Sequence, residues 1–175
     1  MHAGKFIGGG LLLAVLFAGC GGKNSGPTTA PAAATGPAVG EIPVTQDFGV
    51  QVVQFIASDS MRYNGNHFSV PTGQPVRLEL KNTGRTSREV MAHNVVVLQP
   101  GTDLAAFDLI AVTAKAENYL GAAQLDAVVT HTPLAGPNQT VQVEFTAPAP
   151  GDYPFLCTFP GHFVAGMQGT MTVTP

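Results

Sequence analysis

The chain reads as an all-β protein, a two-sheet sandwich of seven to eight short strands with one short helix-bearing insertion. Three observations predict it. From Phe48 onwards, short runs rich in Val, Ile, Phe and Thr recur between Gly, Asn and Pro turn signals. Several of these runs alternate apolar and polar residues, the period of a half-buried strand. One stretch alone, after Pro100-Gly101, changes to a helical period.

Taken in order, Val50 to Phe55 alternates imperfectly, and Phe68-Ser69-Val70 follows a turn at Asn64-Gly65-Asn66. Val76 to Leu80 alternates cleanly, with Arg77 and Glu79 on its polar side. Asn82-Thr83-Gly84 is a turn signal. His93 to Leu98 is a near-continuous apolar run, which suits a strand buried on both faces, and Pro100-Gly101 ends it. Thr102 or Asp103 then caps a helix in which Leu104, Phe107 and Ala111 make a narrow apolar stripe. This insertion runs to about Tyr119. Asp126 to Thr130, Thr140 to Phe145, Asp152 to Leu156 and Gly169 to Thr174 complete the strands. Pro154 has no N–H to donate, so its strand is expected to be locally unpaired on one side. No internal repeat is visible.

Ahead of this domain stand two appendages. Lys5 and the apolar run Phe6 to Ala18 form a signal segment too short to span a bilayer. It ends in Leu16-Phe17-Ala18-Gly19-Cys20, which resembles a bacterial lipobox; the resemblance implies cleavage before Cys20 and lipidation of that residue. From Gly21 to about Thr45 the chain is rich in Gly, Ala, Pro and Thr and cannot bury a core, so it reads as a flexible tether. The organisation expected is therefore a signal peptide at 1–19, an anchor and linker at 20–45, and one domain at 46–175.

Charge and cysteine usage narrow the function. The chain carries 8 Lys+Arg against 11 Asp+Glu, and losing residues 1–19 removes only Lys5. Such an acidic balance argues against nucleic-acid binding, which needs a basic footprint. Cys20 and Cys157 are the 2 cysteines. With Cys20 acylated, Cys157 is a lone thiol in an exported chain and needs a chemical reason to be there.

The segment Cys157-Thr158-Phe159-Pro160-Gly161-His162-Phe163-Val164-Ala165-Gly166-Met167 supplies that reason. It places a thiolate, an imidazole and a thioether at equal spacing on one loop. Soft sulfur donors with imidazole suit copper, and a His₂Cys set with a weak axial Met is the donor list of a blue-copper site. Zinc can use the same donors. The second imidazole must come from His67, His93 or His131. His67 adjoins a turn and His131 precedes Thr132-Pro133, whereas His93 opens a buried strand and precedes Asn94. His93 is the preferred partner.

Met91-Ala92-His93-Asn94, Cys157 to His162 and Gly169-Thr170-Met171 resemble the two copper-ligand segments of azurin-type cupredoxins and their lipoprotein relatives, the auracyanins. The insertion, Asn118-Tyr119-Leu120 and His131-Thr132 share the likeness, which covers about residues 47–175. The resemblance implies a cupredoxin-like Greek-key sandwich with His93, Cys157 and His162 as equatorial ligands of one type 1 copper and Met167 as the axial one. It gives Ala92 a weak carbonyl contact, and assigns Asn94 and Thr158 the hydrogen bonds that tie the two ligand segments together. It implies a docking patch of Met91, Phe159, Pro160, Phe163 and Val164 around His162. Three departures stand out: Ala92 replaces a glycine, the early strands lack azurin's disulfide, and four residues rather than three separate His162 from Met167. The last is expected to change the axial geometry.

The function expected on this basis is single-electron shuttling, with no catalysis, between transient redox-protein donors and acceptors. The protein would work as a monomer, lipid-anchored on the periplasmic or other extracytoplasmic face of a bacterial membrane. A copper buffer or chaperone in the cell envelope is the alternative. A third class, a zinc or Cys/His nucleophile site, would need a substrate cleft and a base. Lys81, Arg85 and Arg88 are candidates for steering an acidic partner.

Overall fold

The computed structural model describes residues 40–175; the signal segment, Cys20 and the tether through Val39 lie outside the described residues. Among the described residues, nine strands build two sheets: β1 (Val44–Asp47), β2 (Val50–Ala57), β3 (His67–Pro71), β4 (Pro75–Asn82), β5 (Val96–Leu98), β6 (Val128–His131), β7 (Thr140–Thr146), β8 (Gly151–Leu156) and β9 (Gln168–Thr174). One sheet has the order β1-β2-β4-β7 and the other β3-β9-β8-β5-β6. The chain leaves the first sheet after β2, forms β3 in the second, and returns as β4. That excursion is why β2 and β4 pair parallel within an otherwise antiparallel sheet.

The inner faces meet in one apolar core. Its centre is an aromatic cluster of Phe55, Tyr63, Phe68 and Phe155, mostly edge-to-face with centroids 5.1 to 5.8 Å apart, a geometry that suits the ring quadrupoles. Strand β5 explains the unbroken apolar run. Val97 faces the inter-sheet core, while Val96 and Leu98 face a second cluster with Phe107, Ala111, Leu120 and Leu156. That second cluster lies under α1 (Leu104–Ala111), which Asp103 caps by accepting from the N–H groups of Ala105 and Ala106 at 3.0 and 3.1 Å. Pro154 sits in β8 opposite Thr170 of β9, and the β5 ladder on its other flank stops at Phe155.

Three expectations need correction. The domain begins before residue 46: Ile42 is fully buried, its N–H bonds to the His67 carbonyl at 2.7 Å, and β1 pairs with β2. Glu41-Ile42-Pro43-Val44 is too short, and broken by a proline, to signal a strand alone; it is held by hydrogen bonds to His67 of β3 and Gln54 of β2. Strand β5 is shorter than expected. His93 makes only an isolated bridge with Ala135, since side chains take over the hydrogen bonds of the next residues. Strand β6 starts two residues late, because Ala122–Ala127 form a 3₁₀ turn.

The β1–β2 hairpin carries an unusual turn. Asp47 faces Val50, leaving Phe48 and Gly49 as a two-residue loop, both with positive φ (45° and 86°). Such turns favour Asn-Gly, and a left-handed Phe is strained. The Phe48 ring is fully exposed and offers no packing in return. Phe48→Asn is therefore expected to stabilise the domain by about 1 kcal/mol, read as a higher urea midpoint with unchanged slope. A lower midpoint would contradict this account.

Candidate metal centre

Cys157 directly follows β8, and the loop to Met167 returns to the start of β9. Backbone hydrogen bonds close the loop on itself. The Cys157 N–H reaches the Met167 carbonyl at 3.0 Å, and the Met167 N–H reaches the His162 carbonyl at 3.0 Å. His162 to Phe159 (3.1 Å), Ala165 to Gly161 (3.0 Å) and Gly166 to Phe163 (2.8 Å) coil the segment between. Residues equally spaced in sequence thus return to one place. Gly166 has φ +94°, a left-handed conformation that favours glycine, and a Cβ there would only push aside the tip of the flexible Arg62 side chain.

His93 arrives from the other ligand segment. Its backbone is pinned by reciprocal hydrogen bonds with Ala135 at 3.0 and 2.7 Å. The donor atoms of His93, Cys157 and His162 all lie within 4.8 Å of one another, and all three residues are buried. Cys157 Sγ is 3.4 Å from His162 Nδ1, and the two imidazole rings are 4.8 Å apart between centroids. Met167 is fully buried in the same core cluster as Ala92 and Cys157. Neither buried ring nitrogen of His93 makes a hydrogen bond of normal geometry, although the Ser58 backbone lies close enough to favour the protonated ring. A buried polar group normally has one. An imidazole with neither nitrogen satisfied, facing a thiol and a second imidazole, fits a soft metal ion and is otherwise costly.

Burial also sets the protonation of the site. It lowers His93 and His162 to about 4 and pushes the Cys157 thiol up to about 12. The backbone N–H groups of Asn94 and Phe159 act on the sulfur in the opposite direction. At pH 7 the metal-free site therefore holds two neutral imidazoles and one thiol. Binding Cu(I) as a thiolate must expel one proton, so affinity should rise about tenfold per pH unit near neutrality. Calorimetry under argon, in two buffers of different protonation enthalpy, is expected to count one proton per copper. No release at pH 7 would contradict the assigned thiol.

The clamp between the ligand segments is explicit. Asn94 Nδ2 donates to Thr158 Oγ1 at 2.8 Å, and the Thr158 N–H donates to Asn94 Oδ1 at 3.0 Å, both fully inside. One residue on, the Val95 N–H donates to Thr132 Oγ1 at 3.0 Å and the Thr132 N–H to the Val95 carbonyl at 2.9 Å. The sequence reading names Thr132 only as part of the His131-Thr132 likeness, with no role, and does not single out Tyr63, whose hydroxyl donates to the Asn94 carbonyl. No spacing rule links Tyr63 to either ligand segment; only the fold brings it there. His67 lies apart on β3, bonded to Thr172 Oγ1 at 3.1 Å, and His131 is exposed at the end of β6. Ala92 is fully buried beside His93.

The expected patch around His162 divides. Pro160 is exposed and Val164 is 82% exposed, whereas Met91 is half-buried. Phe159 is buried, packed edge-on against Tyr119 at 5.0 Å and against the His162 ring at 4.9 Å. It is a wall of the site rather than part of an outer surface. Phe163 leans on the cluster under α1. His162 itself is 1% exposed. Of the basic residues, Arg88 is engaged with the Leu134 carbonyl and Asn118, leaving Lys81 and Arg85 at the surface.

Known proteins share this arrangement. Residues 50–174 match the copper binding proteins of the plastocyanin/azurin family. Auracyanin-B of Chloroflexus aurantiacus is 36% identical over 155 residues, which cover 85% of this chain and 63% of that protein, so the chain spans just under two thirds of that relative's length. Auracyanin-A of the same organism is 33% identical over 163 residues, covering 92% of this chain and 90% of the relative. The structure of dithionite-reduced auracyanin from the photosynthetic bacterium Roseiflexus castenholzii superposes with a TM-score of 0.63 at 36% identity, covering 73% of this chain and 98% of that one. The His93, Cys157 and His162 cluster, with a methionine, fits a single type 1 copper. On fold, donor set and sequence together, this chain belongs to the plastocyanin/azurin family of blue copper proteins.

Proposed function

We propose that the protein is a one-electron carrier, tethered to the periplasmic or other extracytoplasmic face of a bacterial membrane through a lipid on Cys20, that exchanges electrons with transient redox-protein partners. The observation that carries this reading is the buried, unsatisfied His93 ring facing Cys157 and His162. Bound copper supplies the one-electron couple. His93, Cys157 and His162 would hold it, with the Met167 thioether and the Ala92 carbonyl as weaker donors. The four-residue spacing before Met167 is where axial geometry should depart from azurin. A site suited to both oxidation states changes little on electron transfer. Here the Asn94–Thr158 clamp and the self-bonded loop fix the donors beforehand. Burial keeps water and foreign ligands out, and no open position is left for substrate. Pro160, Gly161 and Val164, exposed around His162, are the contact surface for partners.

This burial favours a carrier over a copper buffer or chaperone, which needs an exposed and exchangeable site. Voltammetry on the copper-loaded protein should show a reversible one-electron wave, with copper retained through repeated cycles. Loss of copper to a competing chelator within seconds would favour the buffer instead. Cys20→Ser should move the protein out of the membrane fraction; continued membrane association would refute the lipid anchor.

A further inference from the structure

Two adjacent residues of the insertion share a backbone conformation that side chains rarely adopt. After the 3₁₀ turn Lys115–Glu117, Asn118 and Tyr119 both have left-handed φ, 55° and 63°. Asparagine tolerates that region, but a bulky aromatic seldom enters it. Such strain persists only where the surroundings over-determine it, and it gathers at functional sites. Here the N–H groups of Asn118, Tyr119 and Leu120 bond back to the carbonyls of Lys115, Ala114 and Glu117 at 3.2, 2.9 and 3.3 Å. Arg88 adds a tie from outside, donating to Asn118 Oδ1 at 3.5 Å and to the Leu134 carbonyl. The strained turn supports a stack of rings. Tyr119 meets Phe159 edge-on (5.0 Å, 67°), and Phe159 lies on the His162 ring (4.9 Å, 40°). Exposure falls inward along this stack from 9% to 5% to 1%. Leu120, the next residue, belongs to the cluster on which Phe163 leans. One turn therefore backs Phe159, three residues before His162, and the cluster that holds Phe163, directly after it.

We infer that Tyr119 is a positioning residue for the metal centre, holding the His162 ring through Phe159 in the orientation that binds copper. The inference rests on the blue-copper reading of the site. A histidine that ligates a metal is normally oriented by a hydrogen bond from its other ring nitrogen to a carboxylate, carbonyl or water. Among the described residues, the polar contact of the His162 ring is to Cys157 Sγ at 3.4 Å, inside the donor set. The backbone bonds of the loop fix its main chain and leave the side-chain torsions of His162 free. Packing must supply the orientation that hydrogen bonding does not. Phe159 supplies it, and Tyr119 keeps Phe159 from turning away. The insertion thus serves the ligand loop as an outer brace.

The test compares Tyr119→Ala, which removes the brace, with Tyr119→Phe, which keeps the ring. Val70→Ala, a buried change in β3 opposite Val173, is the control for lost stability alone. In competition with the Cu(I) chelator bathocuproine disulfonate, Tyr119→Ala is expected to lose about tenfold in copper affinity and Tyr119→Phe less than about twofold, the usual cost of an outer-shell partner being about 10–100-fold. A second readout needs no copper. In the metal-free protein the amides of His162 and Met167, both hydrogen-bonded within the loop, should exchange about tenfold faster in Tyr119→Ala than in Val70→Ala, the mark of local rather than global opening. Should the alanine variant not fold, Tyr119→Leu keeps apolar bulk without the ring edge and should move both readouts the same way. Wild-type affinity in the variant that lacks the ring, an equal loss in Val70→Ala, or an equal loss in Tyr119→Phe would overturn the inference. A wild-type protein without the blue band would remove the copper reading and this inference together, whereas a blue wild type matched by an unchanged Tyr119→Ala removes the inference alone.

Discussion

Replacing Cys157 by Ser is expected to abolish the blue colour of the copper-loaded protein and to weaken copper binding by well over a hundredfold. The colour comes from thiolate-to-copper charge transfer, and Cys157 is the free thiol among the described residues. A hydroxyl is a harder donor, ill suited to Cu(I). Loss of a supporting partner typically costs about 10–100-fold in metal affinity, and the loss of a ligand exceeds that. The fold should survive. Cys157 is fully buried and its N–H is held by the Met167 carbonyl, a bond that serine keeps. Far-ultraviolet circular dichroism close to wild type, with no visible band and a competition titration displaced by two decades or more, is the expected result. Retained colour would exclude Cys157 as a ligand.

Asn94→Ala should have the largest effect on stability. Its side chain makes two buried hydrogen bonds, one to the Thr158 hydroxyl and one from the Thr158 N–H, at 2.8 and 3.0 Å. Alanine removes both and leaves a buried N–H and hydroxyl without partners, a loss of about 2–4 kcal/mol. For a domain of this size the melting midpoint should fall by roughly 10 °C. The same change unties the residue beside His93 from the residue beside Cys157, so the visible band of the copper form should also shift. A melting midpoint within about 3 °C of wild type, which corresponds to less than 1 kcal/mol, would show that the clamp is dispensable.

Much of this was legible in the sequence because the relevant signals are local. Alternation in Val76 to Leu80 and Thr140 to Phe145 fixes their inner faces, and both are strands. The loop donors are read by spacing alone. His93 stands out because it precedes a run with no polar break, which the two clusters around β5 account for. What escaped depends on distant partners. Ile42 is buried in a segment held by hydrogen bonds to β2 and β3, so nothing in Glu41-Ile42-Pro43 announces it. Phe159 resembles an exposed loop aromatic until Tyr119, from the insertion, covers it. Tyr63 and Thr132 meet the ligand segments only after the sheets close. Burial that arises from contacts far apart in sequence leaves no periodic trace.

The central claim is that His93, Cys157 and His162 form a site built in advance for one copper ion. Its most direct test is the combined absorption and spin-resonance spectrum of the protein loaded with one equivalent of Cu(II). An intense visible band with unusually narrow hyperfine splitting, lost on reduction and regained on oxidation, is the predicted result. A colourless Cu(II) form with the wide splitting of ordinary tetragonal copper would contradict it.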